Sequence, residues 1–282
     1  MRITEWGKGP LVVKVSGLAG GVGVYTEECE VAARDGFRVA AVDTSGDRID
    51  DPAPGPLTWD LLCDEIASAI DKLGEERAVI WGTSFGGVVA LAFAARYPEK
   101  TAGALLTVPP AHNWQPWLFH RVLRWIAARK HKGPIARGVI SASLCVLCWW
   151  EFLYPTVIRR VPNLIRWANI AKTPGITYAE KGDLLSAREL ELPEHLKQIP
   201  ISIIGSSLDL LAPIPGTRRL AEQLPHARYQ EIRGAGHCVY WSKPKTYHRM
   251  SIAELRRLTG RQEEEPAGVY QPSGVGLSGN VS

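Results

Sequence analysis

Short β-branched runs alternate with helical stretches at both ends of this chain, and that alternation leaves few folds open. LVVKV (11–15), RVAAVD (38–43), AVIW (78–81), ALLTV (104–108) and ISII (201–204) are nearly unbroken apolar runs. Such runs mark strands covered on both faces. ARYQEI (227–232) is a weaker sixth, and helical stretches are expected at 25–34, 59–73, 85–97, 217–223 and 245–258. Strand-helix-strand order of this kind implies an α/β fold, a mostly parallel central sheet with helices on both faces.

The rhythm breaks between residues 110 and 190. No strand-like run occurs there, yet the segment holds six of the ten tryptophans. From Ala111 to Lys181 there are eleven Lys and Arg against two acids, Glu151 and Glu180. This shift reads as a helical lid over 110–190, inserted into a core made of 1–109 and 191–260. Trp114, Trp149 and Trp150 are expected to meet an apolar substrate, since tryptophan offers large apolar area at low rotamer cost. The basic amphipathic stretch 118–130 reads as a solvated outer face; a membrane-surface contact is the other reading. Residues 261–282 are polar, Gly-rich and unpatterned, and are expected to be a disordered tail.

Bulk properties exclude several classes. A net charge of +4 gives no field that argues for nucleic acid. Five cysteines, an odd number lying partly in apolar runs, do not form a secreted disulfide framework. No apolar signal region follows Met1, and the run at 139–150 is shorter than the ~20 residues of a spanning helix. A cytoplasmic location is expected; the oligomeric state is left open.

Chemistry concentrates in Gly82-Thr83-Ser84-Phe85-Gly86, a G-x-S-x-G between a strand run and a helical run. That setting lifts a serine Oγ clear of a sheet on a tight turn. Asp209 follows ISIIG, and His237 closes the loop Gly234-Ala235-Gly236-His237. Singly, Asp209 reads as a turn cap and His237 as a loop histidine. Together they give the order Ser, Asp, His, each at a strand end, which suits nucleophile, orienting acid and base.

On GTSFGG, GSSLDLLAP and GAGH the chain resembles the α/β-hydrolase superfamily, in its lidded branch, from about Leu11 to Leu258. The resemblance implies Ser84, Asp209 and His237 as catalytic residues and an oxyanion hole from the backbone N–H groups of Leu18 and Phe85. It implies no metal or organic cofactor. Cys238, beside His237, is a candidate for the pocket wall. The chain departs from the family where His-Gly commonly follows the first strong strand; here Ser16-Gly17 stands. The usual D-x-x-G-x-G-x-S appears as Asp43-Thr44-Ser45-Gly46-Asp47-Arg48-Ile49-Asp50, keeping only the Asp and first Gly.

The expected activity is therefore hydrolysis of an ester, thioester or lactone of a bulky apolar small molecule. The same three residues also serve a lyase eliminating a carboxylate, or an acyltransferase, in specialised metabolism. A remoter alternative rests on Ser16-Gly17-Leu18-Ala19-Gly20-Gly21-Val22-Gly23, trailed by Asp43, which resembles the nucleotide loop of short-chain dehydrogenases. That family's Tyr and Lys four residues apart are missing. Cys145-x-x-Cys148 lies within an apolar run and reads as two lid-core cysteines, with no redox or zinc role.

Overall fold

The computed structural model describes residues 1–18, 21–48, 50–110, 125, 151, 173, 175–186 and 190–261. Most of the expected lid, with Trp114, Trp149, Trp150 and the Cys145–Cys148 pair, lies outside the described residues, as does 262–282.

Among the described residues seven strands form one sheet. They are β1 (Arg2–Trp6), β2 (Leu11–Val15), β3 (Arg38–Asp43), β4 (Ala78–Thr83), β5 (Thr101–Thr107), β6 (Ile201–Ser206) and β7 (Arg228–Ile232). The order is β1-β3-β2-β4-β5-β6-β7, with β1 antiparallel to β3 and every other pairing parallel. Described helices are α1 (Thr26–Arg34), α2 (Trp59–Lys72), α3 (Phe85–Arg96), α4 (Gly175–Ser186), α5 (Ile214–Gln223), α6 (Val239–Ser242) and α7 (Pro244–Leu258).

Strand alternation sorts the core into two layers. Leu11, Val13 and Val15 of β2 pack with Leu62 and Ile66 of α2 and with Val88 and Val89 of α3. Val12 packs on the opposite face with Cys29 of α1 and Tyr247 and Leu255 of α7. Lys14 shares the parity of Val12 and so points to the α1/α7 side. Thr58 starts α2 by accepting the Leu61 N–H at 3.1 Å. Helix α3 is buried on every side from Phe85 to Ala94, in keeping with its uniformly apolar sequence.

Most differences from the expected elements are at boundaries. Strands β4 and β6 run two residues further, and α5 begins at Ile214. Strand β1 carries three exposed positions of five, because an edge strand need not be apolar. Arg261, expected in the tail, donates to the carbonyls of Asp35 and Gly36, 3.1 Å each, and lies over the Phe37 ring.

After β2 the chain moves to β3 on one side, then returns to β4 on the other. The β2/β4 gap is thus the switch point where α/β sheets bind ligands, at the strands' carboxyl ends.

Candidate active site

Strand β4 delivers the chain to Ser84 in a sharp turn. Ser84 has φ 56° and ψ −123°, a conformation rare for a non-glycine residue that costs about 1–3 kcal/mol. Its N–H donates to the Thr107 carbonyl of β5 at 2.8 Å, so the neighbouring strand holds the turn. The flanking glycines are sterically required. A Cβ on Gly82 would lie 1.9 Å from the Gly86 carbonyl oxygen, and one on Gly86 would lie 2.5 Å from those of Val15 and Ser16. Phe85 opens α3, where first-turn N–H groups have no partner within the helix and favour negative charge.

Two loops meet opposite this turn. Ser207 and Leu208 donate backbone N–H groups to the carbonyls of Ile232 and Ala235, at 3.1 and 2.9 Å, tying the loop after β6 to that after β7. Within it Asp209 Oδ1 accepts the N–H groups of Leu211 and Ala212 at 2.8 and 2.7 Å. Its Oδ2 lies 2.7 Å from His237 Nδ1, and His237 Nε2 lies 2.9 Å from Ser84 Oγ. A carboxylate only accepts, so Nδ1 carries the proton and Nε2 is left to accept from the serine hydroxyl. Burial opposes a charged imidazole, but Asp209, with a smaller contribution from Glu151, outweighs it and holds the His237 pKa above its ordinary 6.5.

The structure thus brings Ser84, Asp209 and His237 together. Phe85 follows Ser84 directly. Leu18 sits half-buried in the loop after β2, where a Cβ on Gly17 would lie 2.8 Å from Tyr25 Oη and at an ordinary contact distance of 3.4 Å from Ser84 Cβ. Cys238 is buried in the core beside Val239 and Trp241. Asp183 is exposed, and Glu231 is engaged with Arg218 and Tyr229, so neither competes for the imidazole.

Four residues of this neighbourhood had not been singled out. Glu151 accepts the Cys238 N–H at 2.9 Å and the Ser242 hydroxyl at 3.0 Å, beside the histidine loop. Burial pushes its carboxyl pKa up, against the pull of the Cys238 N–H, His237 and Ser242. Lys181 of α4 forms a buried ion pair with Asp47 and donates to the Gly17 carbonyl at 3.3 Å. Tyr25 accepts the Gly17 N–H at 3.2 Å. Sequence signals existed for two of them. Glu151 is one of two acids in a basic stretch, and Asp47 lies in the altered Asp43–Asp50 segment.

A family model for the alpha/beta hydrolase fold matches residues 10–244. The chain belongs to that family. This hydrolase-fold enzyme is 25% identical over 269 residues to the candidate carbamate hydrolase RutD of Enterobacter cloacae, covering 92% of this chain and 95% of that one. A protein of the same name from Caulobacter sp. is 28% identical over 252 residues, covering 88% and 90%. Among solved structures, a thermophilic esterase from Thermogutta terrifontis matches with a TM-score of 0.73 at 23% identity, covering 92% of this chain and 93% of the other. An enol-lactonase from Burkholderia xenovorans LB400 matches with a TM-score of 0.74 at 21% identity, covering 90% and 95%. These two show the fold. Family membership displaces the dehydrogenase alternative, and the structure gives a local reason. Asp43 is buried, and a Cβ on Gly21 would lie 2.5 Å from its Oδ1, so its carboxylate packs on the glycine loop instead of facing a ribose. Among the described residues no helix is long and apolar enough to cross a membrane.

Proposed function

We propose that this enzyme is a serine hydrolase for an apolar acyl compound, an ester, thioester or lactone. Ser84 Oγ attacks the carbonyl carbon and its proton passes to His237 Nε2. The backbone N–H groups of Leu18 and Phe85 receive the developing oxyanion, and Asp209 stabilises the imidazolium. His237 then returns the proton to the leaving group, and water activated by the same imidazole frees the acid and restores Ser84.

The observation that carries the reading is the unbroken hydrogen-bond chain from Ser84 Oγ through His237 to Asp209, 2.9 and 2.7 Å long. It is anchored at its far end by two backbone N–H groups. The carbamate hydrolase name of the relatives supports a substrate cleaved at a carbonyl that bears a heteroatom leaving group. The lid segment's tryptophans support an apolar acyl part. Cys29 and Cys63 are buried free thiols with pKa values pushed up to about 12 by burial, which suits a cytoplasmic protein.

The test has two stages. Intact-mass analysis after a fluorophosphonate is expected to show one adduct, on Ser84 and absent from Ser84→Ala. Turnover of an acyl donor found by screening, run in ¹⁸O-water, is expected to label the acid product. An unlabelled acid released with an alkene would replace hydrolysis by elimination, and an ester formed from added alcohol would replace it by acyl transfer.

A further inference from the structure

We infer that Lys181 is a positioning residue for the oxyanion hole, holding the Gly17–Leu18 peptide in place through the Gly17 carbonyl. The inference rests on the reading of Leu18 N–H as an oxyanion donor. In a planar trans peptide the carbonyl of one residue and the N–H of the next belong to one rigid unit and point in opposite directions. Whatever fixes the Gly17 carbonyl therefore fixes the Leu18 N–H. Lys181 Nζ donates to that carbonyl at 3.3 Å, and Tyr25 Oη accepts the preceding Gly17 N–H at 3.2 Å. The loop is clamped on both sides of Gly17, where an added Cβ would lie 3.4 Å from Ser84 Cβ. A charged donor on a carbonyl also polarises the amide, which strengthens its N–H as a donor in a dry site.

The lysine is itself held. Its ion-pair partner Asp47 has a fully buried side chain. Asp47 Oδ2 accepts the Thr44 N–H and hydroxyl, both at 2.9 Å, and the Ser16 hydroxyl at 3.2 Å. Thr177 of α4 donates to the Gly46 carbonyl at 2.9 Å and Thr173 to that of Asp47 at 2.8 Å, fixing the register of the helix over the loop. Ser16 stands where the family usually has histidine, and Asp47 occupies an unconstrained position within the altered Asp43–Asp50 segment. Together with Lys181 they form one buried network, which does for the loop what the family's usual histidine would otherwise do.

The competing account is that Lys181–Asp47 only fastens α4 to the core. The two accounts separate in the Lys181→Met/Asp47→Asn double variant, which removes the pair without stranding a buried charge. The probe is a fluorophosphonate. Ser84 Oγ bonds to phosphorus, fluoride leaves, the serine proton goes to His237, and the phosphoryl oxygen occupies the oxyanion position. Phosphonylation per folded molecule is expected to slow about 10- to 100-fold, somewhat less than outright loss of one oxyanion donor. The acid limb of its pH profile should stay in place, since His237 is untouched. Lys181→Arg, which keeps a charged donor, should recover most of the rate. A folded double variant that reacts at the wild-type rate overturns the proposal while leaving Ser84 as nucleophile. Failure of the wild-type protein to be labelled at Ser84 overturns the nucleophile reading, and this inference with it. Should the double variant not accumulate as folded protein, Tyr25→Phe tests the other end of the clamp. It leaves the ion pair whole and is expected to slow labelling about tenfold, and a wild-type rate there also overturns the clamp.

Discussion

Ser84 has two flanks, and each borrows one charged side chain from the segment between β5 and β6. On the flank formed by the loop after β2, the borrowed group is the Lys181 ammonium, against the Gly17 carbonyl. On the flank formed by the loops after β6 and β7, it is the Glu151 carboxylate, against the Cys238 N–H. The signs are opposite, and each matches the charge the proposed reaction develops beside it. Negative charge grows at the oxyanion, near the lysine, and positive charge grows on the imidazole, near the glutamate. In the proposed reaction the loops after β4, β6 and β7 supply the reacting groups, and Glu151 and Lys181 supply part of the field in which they react. Fixed charges of this kind act strongly in a site shielded from water, and need no reorganisation during the reaction.

The flanks should nevertheless differ in how much they cost when broken. On the base flank Asp209 touches the reacting histidine directly. Asp209→Asn keeps the shape but offers Nδ1 the wrong partner, and Ser84→Ala removes the proposed nucleophile. With the fold intact, Asp209→Asn is expected to lower kcat/KM about 10⁴-fold and Ser84→Ala about 10⁶-fold. Asp183→Asn and Glu231→Gln should keep near-normal rates, because neither side chain reaches the imidazole. If Asp209→Asn lost no more than the Lys181 variants, the two flanks would be equivalent and the orienting role of Asp209 wrong.

A second buried lysine sharpens the contrast by lying under the sheet end instead of beside Ser84. Lys14 Nζ contacts Glu28 at 2.7 Å and Thr83 Oγ1 at 2.6 Å, and sits 3.9 Å over the Trp81 ring. Tyr247 Oη donates to the same Glu28 carboxylate at 2.9 Å. Burial lowers the Lys14 pKa, with Glu28 opposing the shift. Removing one partner of such a pair leaves an uncompensated buried charge. Lys14→Met is expected to cost about 3–5 kcal/mol in urea unfolding. Its phosphonylation rate per folded molecule should fall far less than in the Lys181 double variant. A rate loss equal to that of the Lys181 double variant would show that buried charge near Ser84 matters without regard to which loop it touches.

The same contrast explains what could be read in the chain beforehand. The strands β2 to β6 were legible because buried parallel strands are continuous apolar runs, and the G-x-S-x-G turn because sterics admit only glycine at 82 and 86. The Ser, Asp, His order was legible because each residue lies in the turn or loop that follows a strand run. The charged supports were not. Lys181 and Asp47 are 134 residues apart, Glu151 and Cys238 are 87 apart, and no periodicity links such pairs. Lys14 was hidden inside LVVKV, where one polar letter in a buried strand announces a partner without naming it. Glu28 and Tyr247 supply that partner from α1 and α7, elements whose own patterns show only an apolar face.

The smallest expected effect tests the sign of the field on the base flank. His237 must be neutral at Nε2 to accept the serine proton, so activity rises with pH through the imidazole pKa. Asp209 and Glu151 hold that pKa above 6.5 against the effect of burial, so the acid limb of kcat/KM lies above 6.5. Glu151→Gln keeps an acceptor for the Cys238 N–H, lets its amide N–H donate to the Ser242 hydroxyl oxygen, and removes the negative charge. The imidazolium is then less favoured, its pKa falls, and the acid limb moves to lower pH. Glu151 contributes less than Asp209, so the move should be under about one pH unit, or less than ~1.4 kcal/mol. Rates well above the limb should change little, and rates below it should rise relative to the wild type. The Lys181 double variant makes the opposite separation, a lower plateau with the limb in place. A Glu151→Gln profile that coincides with the wild type, measured on folded protein, would leave Asp209 alone in charge of the imidazole and confine the borrowed field to the oxyanion flank.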